Sequence, residues 1–374
     1  PGMKIFAWLL VTSVPVHSEP TWFPNVTKHT ITPDVGQFAC VNSVVVSPNS
    51  QWVALGGQRE ARPQFYQLHD SGPAATPAYM LNSTSDCQDA VMGLTYSPDG
   101  TWFAVACGTQ QVSSPAVFLY SIDAEGRPTL HMSFKESALL TGAGSNAVAF
   151  SSDSTALVSA SDNGNVYVYR YERSWRTMWQ LKWIQTAVVA TSGSVANSVT
   201  VAKNGRVWVG LWNNQVVAFD LSAAYPSITT TVGGPSSVES VAVSSNLEWL
   251  AAGFAKTDSG NTTAYLYSLA SGDPVLKSIL TFTPVTSVGW CDALVFSPDS
   301  NMLAMGSWDE TLRLFPVGLH GAGSPVALEK SHVKEAEIKG TAFSPNGRWI
   351  LSAACDGVVD VFSGFSPAGD TVSV

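Results

Sequence analysis

Short apolar runs of alternating character, each closed by a polar turn, return seven times along the chain. One copy opens with Val44-Val45-Val46-Ser47-Pro48-Asn49-Ser50, and others with Leu94-Thr95-Tyr96-Ser97-Pro98-Asp99-Gly100 and Val148-Ala149-Phe150-Ser151-Ser152-Asp153-Ser154. The fourth, Val199-Thr200-Val201-Ala202-Lys203-Asn204-Gly205, departs furthest from the pattern. Copies beginning at Val241, Leu294 and Thr341 complete the set. Alternation at period two predicts half-buried strands, and a repeat returning every few tens of residues predicts stacked units. The serine position falls at 47, 97, 151, 202, 244, 297 and 344, a spacing of 42 to 54 residues. That slightly exceeds the ~40–45 residues of a compact four-stranded repeat unit, and the excess is assigned to loops.

Each part of the repeat has a mechanical reading. In Ser-Pro-Asp-Gly, Pro fixes φ, Asp closes a side-chain turn and Gly accepts positive φ, which together predict a hairpin. The next run is rich in small residues, as in Trp52-Val53-Ala54-Leu55-Gly56-Gly57 and Met302-Leu303-Ala304-Met305-Gly306-Ser307. Small side chains let neighbouring units approach where space is tight. A third run alternates aromatic residues with others, as in Val166-Tyr167-Val168-Tyr169 and Leu312-Arg313-Leu314-Phe315. A weaker fourth strand follows, at Thr129 to Phe134, Trp179 to Ile184 and Leu276 to Phe282.

Over about residues 27–363 this pattern resembles the WD40 family, best in Gly306-Ser307-Trp308-Asp309-Glu310-Thr311-Leu312-Arg313-Leu314-Phe315. The resemblance implies an all-β fold, a seven-bladed β-propeller of four-stranded antiparallel blades. It also implies a structural Asp between the second and third strands, matched by position at Asp162, Asp309 and Asp356, with Asn213 as a substitute. No copy keeps the family's Gly-His dipeptide or ends its third strand in Trp-Asp. Closing the ring requires the N-terminal segment to supply the last blade's outer strand, and Thr27 to Pro33 stands at the right distance. Trimming the first ~35 residues is then expected to destabilise the whole ring. The organisation expected is an N-terminal segment over 1–26, the propeller over 27–363 and a flexible tail over 364–374.

Composition narrows the function. A net charge of −9 lacks the basic footprint of a phosphate-backbone binder, so direct nucleic-acid contact is not expected. No run reaches the length of a membrane span. Five scattered cysteines form no C-x-x-C pair, so no disulfide framework or zinc site is indicated, and a reducing compartment, cytoplasmic or nuclear, fits best. Pro1-Gly2 reads as a tag remnant, and Met3 to Ser18 reads either as a buried strand or as a signal peptide.

The chain shows no set of catalytic residues. Six dispersed histidines lack metal-ligand spacing, and there is no nucleophile elbow or P-loop. Gly142-Ala143-Gly144-Ser145-Asn146-Ala147 has a dinucleotide-like spacing but leads into a strand, so it is a loop. Neither a cofactor nor a metal is called for. The basic and aromatic segment Arg170 to Arg176, continuing through Trp179, Lys182 and Trp183, has the composition of an interface, yet reads better as rings capping the outer core.

The resemblance places the loops after the second strands and those entering the first strands on one face. Asn42, Met92, Asn146, Asn197, Glu239, Asp292 and Lys339 enter the first strands at equivalent positions, a mainly polar ring around a channel mouth. With Arg59, Trp212, Asn213 and Trp308 beside it, this face is the expected docking surface, its partner-binding candidates being Arg59, Asn146, Asn197, Trp212, Asn213, Glu239, Asp292 and Trp308. The expected function is a non-catalytic scaffold for protein or peptide partners, a monomeric propeller within a larger complex. The alternatives are a secreted or periplasmic propeller of enzymatic or lectin-like type, and a structural subunit of a nucleic-acid-processing complex.

Overall fold

Period-two alternation, broken by turn residues, leaves strands as the only regular element that buries one face per run. In the computed structural model the described residues are 26–33, 40–58, 62–81, 87, 90–108, 114–136, 144–173, 181–223, 225–256, 261–282, 289–328 and 336–364. They contain strands and no helix. The strands form seven antiparallel sheets, each running outward from an innermost strand. The innermost strands are Val41–Val46, Ala90–Tyr96, Ser145–Phe150, Ala196–Val201, Val238–Val243, Ala293–Phe296 and Ile338–Phe343. They begin blades one to seven of a β-propeller.

The seventh sheet borrows its outer strand from the front of the chain. Thr27–Ile31 pairs antiparallel with Val359–Ser363, Thr27 opposite Ser363 and Ile31 opposite Val359. Asp360, buried in the third strand, fastens this seam. Its Oδ1 accepts the Thr30 hydroxyl at 3.0 Å, and its Oδ2 lies 3.0 Å from the Lys28 ammonium.

The first hairpin turns explain why serine recurs. Ser47 Oγ accepts the Trp52 N–H at 2.9 Å and donates to Asn49 Oδ1 at 2.6 Å. The same pair of bonds is made by Ser97 with Asp99 and by Ser344 with Asn346. The divergent fourth copy has Ala202 there and keeps only the Asn204 carboxamide, which accepts the Arg206 N–H.

Apolar layers lie between blades. Val158 and Val166 of blade three pack with Val199, Val209 and Val217 of blade four, while Leu312 and Leu314 of blade six pack with Ile338, Ile350 and Phe362 of blade seven. Close approach needs small residues in the second strands. A Cβ on Gly210 would stand 2.6 Å from Val238 of the next blade, and one on Gly56 would stand 2.6 Å from Val91.

Three expectations are corrected. The extra length of blade three lies partly in its strands, because Asn165–Arg173 and Leu181–Ala190 form a long hairpin paired out to Arg173 and Leu181. Trp179, placed by the sequence in that fourth strand, lies outside the described residues. Four cysteines are paired, Cys40 with Cys355 and Cys87 with Cys107, leaving Cys291 free and buried. Linear spacing hid the first pair, because ring closure makes the first and last blades neighbours.

Asp162 is the third correction. The turn residues with positive φ are Gly164, Asn214, Glu310 and Gly357. Counting back one place from each gives Asn163, Asn213, Asp309 and Asp356 as the equivalent turn residues, so Asp162 stands one position early. Asp309 and Asp356 accept the N–H two residues on, from Thr311 at 3.2 Å and Val358 at 3.0 Å. Asp309 is buried and also grips Arg313 through both oxygens, at 2.9 and 2.5 Å.

Candidate functional site

A side chain in a regular strand alternates faces, so a ring of side chains all aimed at one channel mouth needs a local device. The first strands supply it as β-bulges. Their register slips between Val41 and Ser43, Val91 and Gly93, Ser145 and Ala147, Ala196 and Ser198, Val238 and Ser240, and Ile338 and Gly340. The skipped residues are Asn42, Met92, Asn146, Asn197, Glu239 and Lys339, and bulges commonly re-aim a side chain in this way. Asp292 stands in the same place just before Ala293–Phe296. All seven line one cavity of about 390 Å³ at the channel mouth.

The ring has two sectors. In blades one to four the polar side chains are neutral and bond across to the next blade. Asn42 donates to Val91 O at 3.0 Å, Asn146 to Ala196 O at 3.1 Å and to Asp162 at 2.6 Å, and Asn197 to Glu239 Oε2 at 2.6 Å. Asp162 therefore belongs to the rim and not to the turn anchors.

Blades five to seven carry the charge. The Lys339 ammonium lies 2.7 Å from Asp292 Oδ2 and 3.2 Å from Glu337 Oε2. It also stands 3.9 Å from the centre of the Trp308 ring. The Trp308 indole donates to the same Asp292 oxygen at 2.5 Å, and Trp290 stacks on it at 4.5 Å. Burial, followed by the neighbouring Asp292 carboxylate, pushes the Glu239 carboxyl up to about 7. Hydrogen bonds from Ser237 and Asn197 and the charge of Lys339 oppose that rise.

Trp212 occupies the same turn position as Trp308 but has no stacking partner among the described residues and is 55% exposed. Beside it the Asn213 side chain donates to Gln215 Oε1 at 3.1 Å, and its backbone N–H donates to Ser194 Oγ at 3.1 Å. Arg59 lies outside the described residues. Trp290 and Glu337 were missed in the sequence. Each stands two residues before a mouth position, Asp292 or Lys339, and that offset was the available clue.

A second carboxyl is buried away from the mouth. Glu136, at the approach to blade three, accepts the Tyr169 hydroxyl at 2.8 Å, and burial pushes it up to about 7. Of the basic and aromatic segment, Trp183 is buried, Tyr171 stacks on it at 5.4 Å, and Arg170 bonds to Leu221 O of the next blade. Those described side chains cap interblade space, while residues 174–180 lie outside the described set. The far end of the channel is different. Val46, Pro48, Tyr96, Pro98, Phe343 and Pro345 help to line an apolar cavity of about 490 Å³ there. Among the described residues no group of His, Cys, Asp and Glu is arranged to hold a metal ion, and no helix is long and apolar enough to cross a membrane.

Seven blades around a channel, with one polar, tryptophan-bearing mouth, define a seven-bladed β-propeller. The chain carries repeats similar to those of WD40 propellers. Residues 135–170, 277–315 and 323–363 match the family described as WD domain, G-beta repeat. Each match spans the first three strands of one blade, the sequence unit being offset from the structural one. The chain is also similar to "WD40 repeat protein poxJ" of Penicillium oxalicum and to its counterpart in strain 114-2 / CGMCC 5302. Each match is 41% identical over 64 residues, 17% of this chain and 18% of the relative. The chain thus matches under a fifth of these curated relatives' length.

Proposed function

We propose that this propeller is a non-catalytic scaffold that docks a protein or peptide partner on the face bearing the polar channel mouth. The observation that carries the reading is the set of bulges, which spend regular pairing in six blades to aim side chains at one opening. Exposed Trp212 and half-buried Trp308 add aromatic anchors on that face, the residue type on which interface energy concentrates. WD40 propellers as a family typically bind proteins, which agrees with this reading.

The test is co-purification with the full chain, comparing the wild type with Trp212→Ala, Trp308→Ala and a Pro98→Ala control at the opposite mouth. The partner is expected to be lost from the two rim variants and kept by the control. Retention by both rim variants at wild-type level would place the docking face elsewhere.

A second reading concerns compartment. The paired cysteines favour a propeller that matures in an oxidising environment, against the cytoplasmic or nuclear expectation. Determining the mature N-terminus of the natural protein tests it. A start near Glu19 supports export, and an intact Met3 in the reducing cytosol rejects it.

A further inference from the structure

The two disulfides stand in different settings. Cys87 and Cys107 are 4% and 1% exposed, lie 20 residues apart and pack in the core between blades one and two with Val91, Phe103 and Phe118. Cys40 and Cys355 are both half-buried and join blade one to blade seven across 315 residues of sequence. Cys40 leads into the first strand of blade one, and Cys355 stands in the turn between the second and third strands of blade seven. The bond therefore lies on the loop face. A disulfide opens by thiolate attack on one of its sulfurs, so access decides which of two pairs reacts. The seam pair offers that access and the blade-two pair does not.

The seam bond also reaches the channel mouth from both sides. The Cys355 N–H donates to Glu337 O at 2.9 Å, and the Cys355 sulfur lies 3.8 Å from Glu337 Oε2. That oxygen is 3.2 Å from the Lys339 ammonium, which in turn pairs with Asp292 and covers the Trp308 ring. On the other side the Gln58 N–H donates to Cys40 O at 3.0 Å, and Gln58 itself lines the mouth cavity. Further in, Val41 and Val44 pack with Leu351, Ala353 and Val359, and Thr27–Ile31 is paired with Val359–Ser363. Blades one and seven are thus held together without the bond, and opening it frees their loop-face rim and leaves the ring closed.

We propose that Cys40–Cys355 is a redox latch on the rim of the channel mouth, opened by small-molecule thiols while Cys87–Cys107 stays closed. One thiolate attacks a sulfur of the pair, and the other sulfur leaves as a thiolate and takes up a proton. A second small thiol then releases the mixed disulfide, so two cysteine thiols and one small-molecule disulfide result. Closed, the bond ties the backbones that hold Glu337 and Gln58 to one another; open, each moves with its own blade. The latch goes beyond the scaffold reading and is read out without a partner, so its failure leaves docking untouched.

The test exposes the folded full chain to reduced glutathione for increasing times, blocks free thiols with iodoacetamide and locates the label by mass spectrometry. Cys40 and Cys355 are expected to label fully before Cys87 and Cys107 begin to. Cys291, free and buried, reports unfolding and is expected to stay unlabelled throughout. Hydrogen exchange on the same samples is expected to speed up at Gln58 and Cys355 once the seam pair is open, and to be unchanged over Trp102–Gly108. The Cys40→Ser/Cys355→Ser variant is expected to exchange fast at Gln58 without glutathione and to gain nothing from it. Labelling of all four paired cysteines together, or of Cys40 and Cys355 only in step with Cys291, overturns the proposal. So does exchange at Gln58 and Cys355 that stays slow after the seam pair has opened.

Discussion

Leu247 holds φ at +63°, a left-handed backbone conformation that costs an L-residue with a Cβ roughly 1–2 kcal/mol. The equivalent turn positions carry Gly100, Gly205 and Gly347, or else Ser50, Ser154 and Ser300. The serines are compensated, because each hydroxyl accepts an N–H from the turn of the adjacent blade. Asp99 donates to Ser154 at 3.1 Å, Asn246 to Ser300 at 3.1 Å and Asn346 to Ser50 at 3.2 Å. Leu247 has no hydroxyl to offer. Leu247→Gly is therefore expected to stabilise the protein by about 1 kcal/mol, seen as a higher urea midpoint at unchanged slope. Ser154→Gly is expected to gain less, since it gives up the interblade bond along with the strain. The turn serines and Asp309 were legible because their bonds reach residues two to five places along the chain. Asp162 was not, because its role depends on the positive φ of Gly164 two residues away, which the type of residue 162 does not reveal.

At the scale of the strand and blade, alternation and small residues were sufficient to locate the seven first strands and those second and third strands that were quoted from the sequence. The positions of the bulges were not legible. A bulge is a property of two paired strands, and nothing in Val41-Asn42-Ser43 alone distinguishes it from a regular run. The ring residues were still grouped correctly because the bulges recur at one place in the repeat. The close approach of blades was legible as Gly and Ala in second strands, and it can be tested directly. Gly210 faces Val238 of the next blade, so Gly210→Val would force side-chain or backbone movement in a packed layer. A loss of roughly 1–3 kcal/mol is expected from overpacking, measured by chemical denaturation. Gly233, with open space around its Cβ direction, is the control, and Gly233→Ala is expected to be near neutral.

The molecule as a whole is a ring in which every blade depends on two neighbours, so charges buried in one place are felt in a global transition. Glu136 and Glu239 are both raised to about 7, from an ordinary glutamate value near 4.3. Between roughly pH 4.3 and 7 the folded state holds protons that the unfolded chain has released. Their contribution is fully present below that window and is lost as pH rises through 7. The urea midpoint is expected to be higher at pH 5.5 than at pH 8, with Glu136→Gln removing much of the difference. A flat profile across that range would reject the burial of Glu136. The two ends of the chain meet in the same ring. Thr27–Ile31 closes it by hydrogen bonds, and Cys40–Cys355 closes it again by a covalent bond spanning 315 residues. A loop of that size gives the largest effect in the chain-entropy account, on the order of 5 kcal/mol before strand pairing already present is considered. Reduction is therefore expected to lower the melting temperature by several degrees. The Cys40→Ser/Cys355→Ser double variant is expected to start at that lower value and to respond to reductant only through Cys87–Cys107. If the double variant melts with the wild type in the absence of reductant, the strand pairing of Thr27–Ile31 alone holds the ring closed.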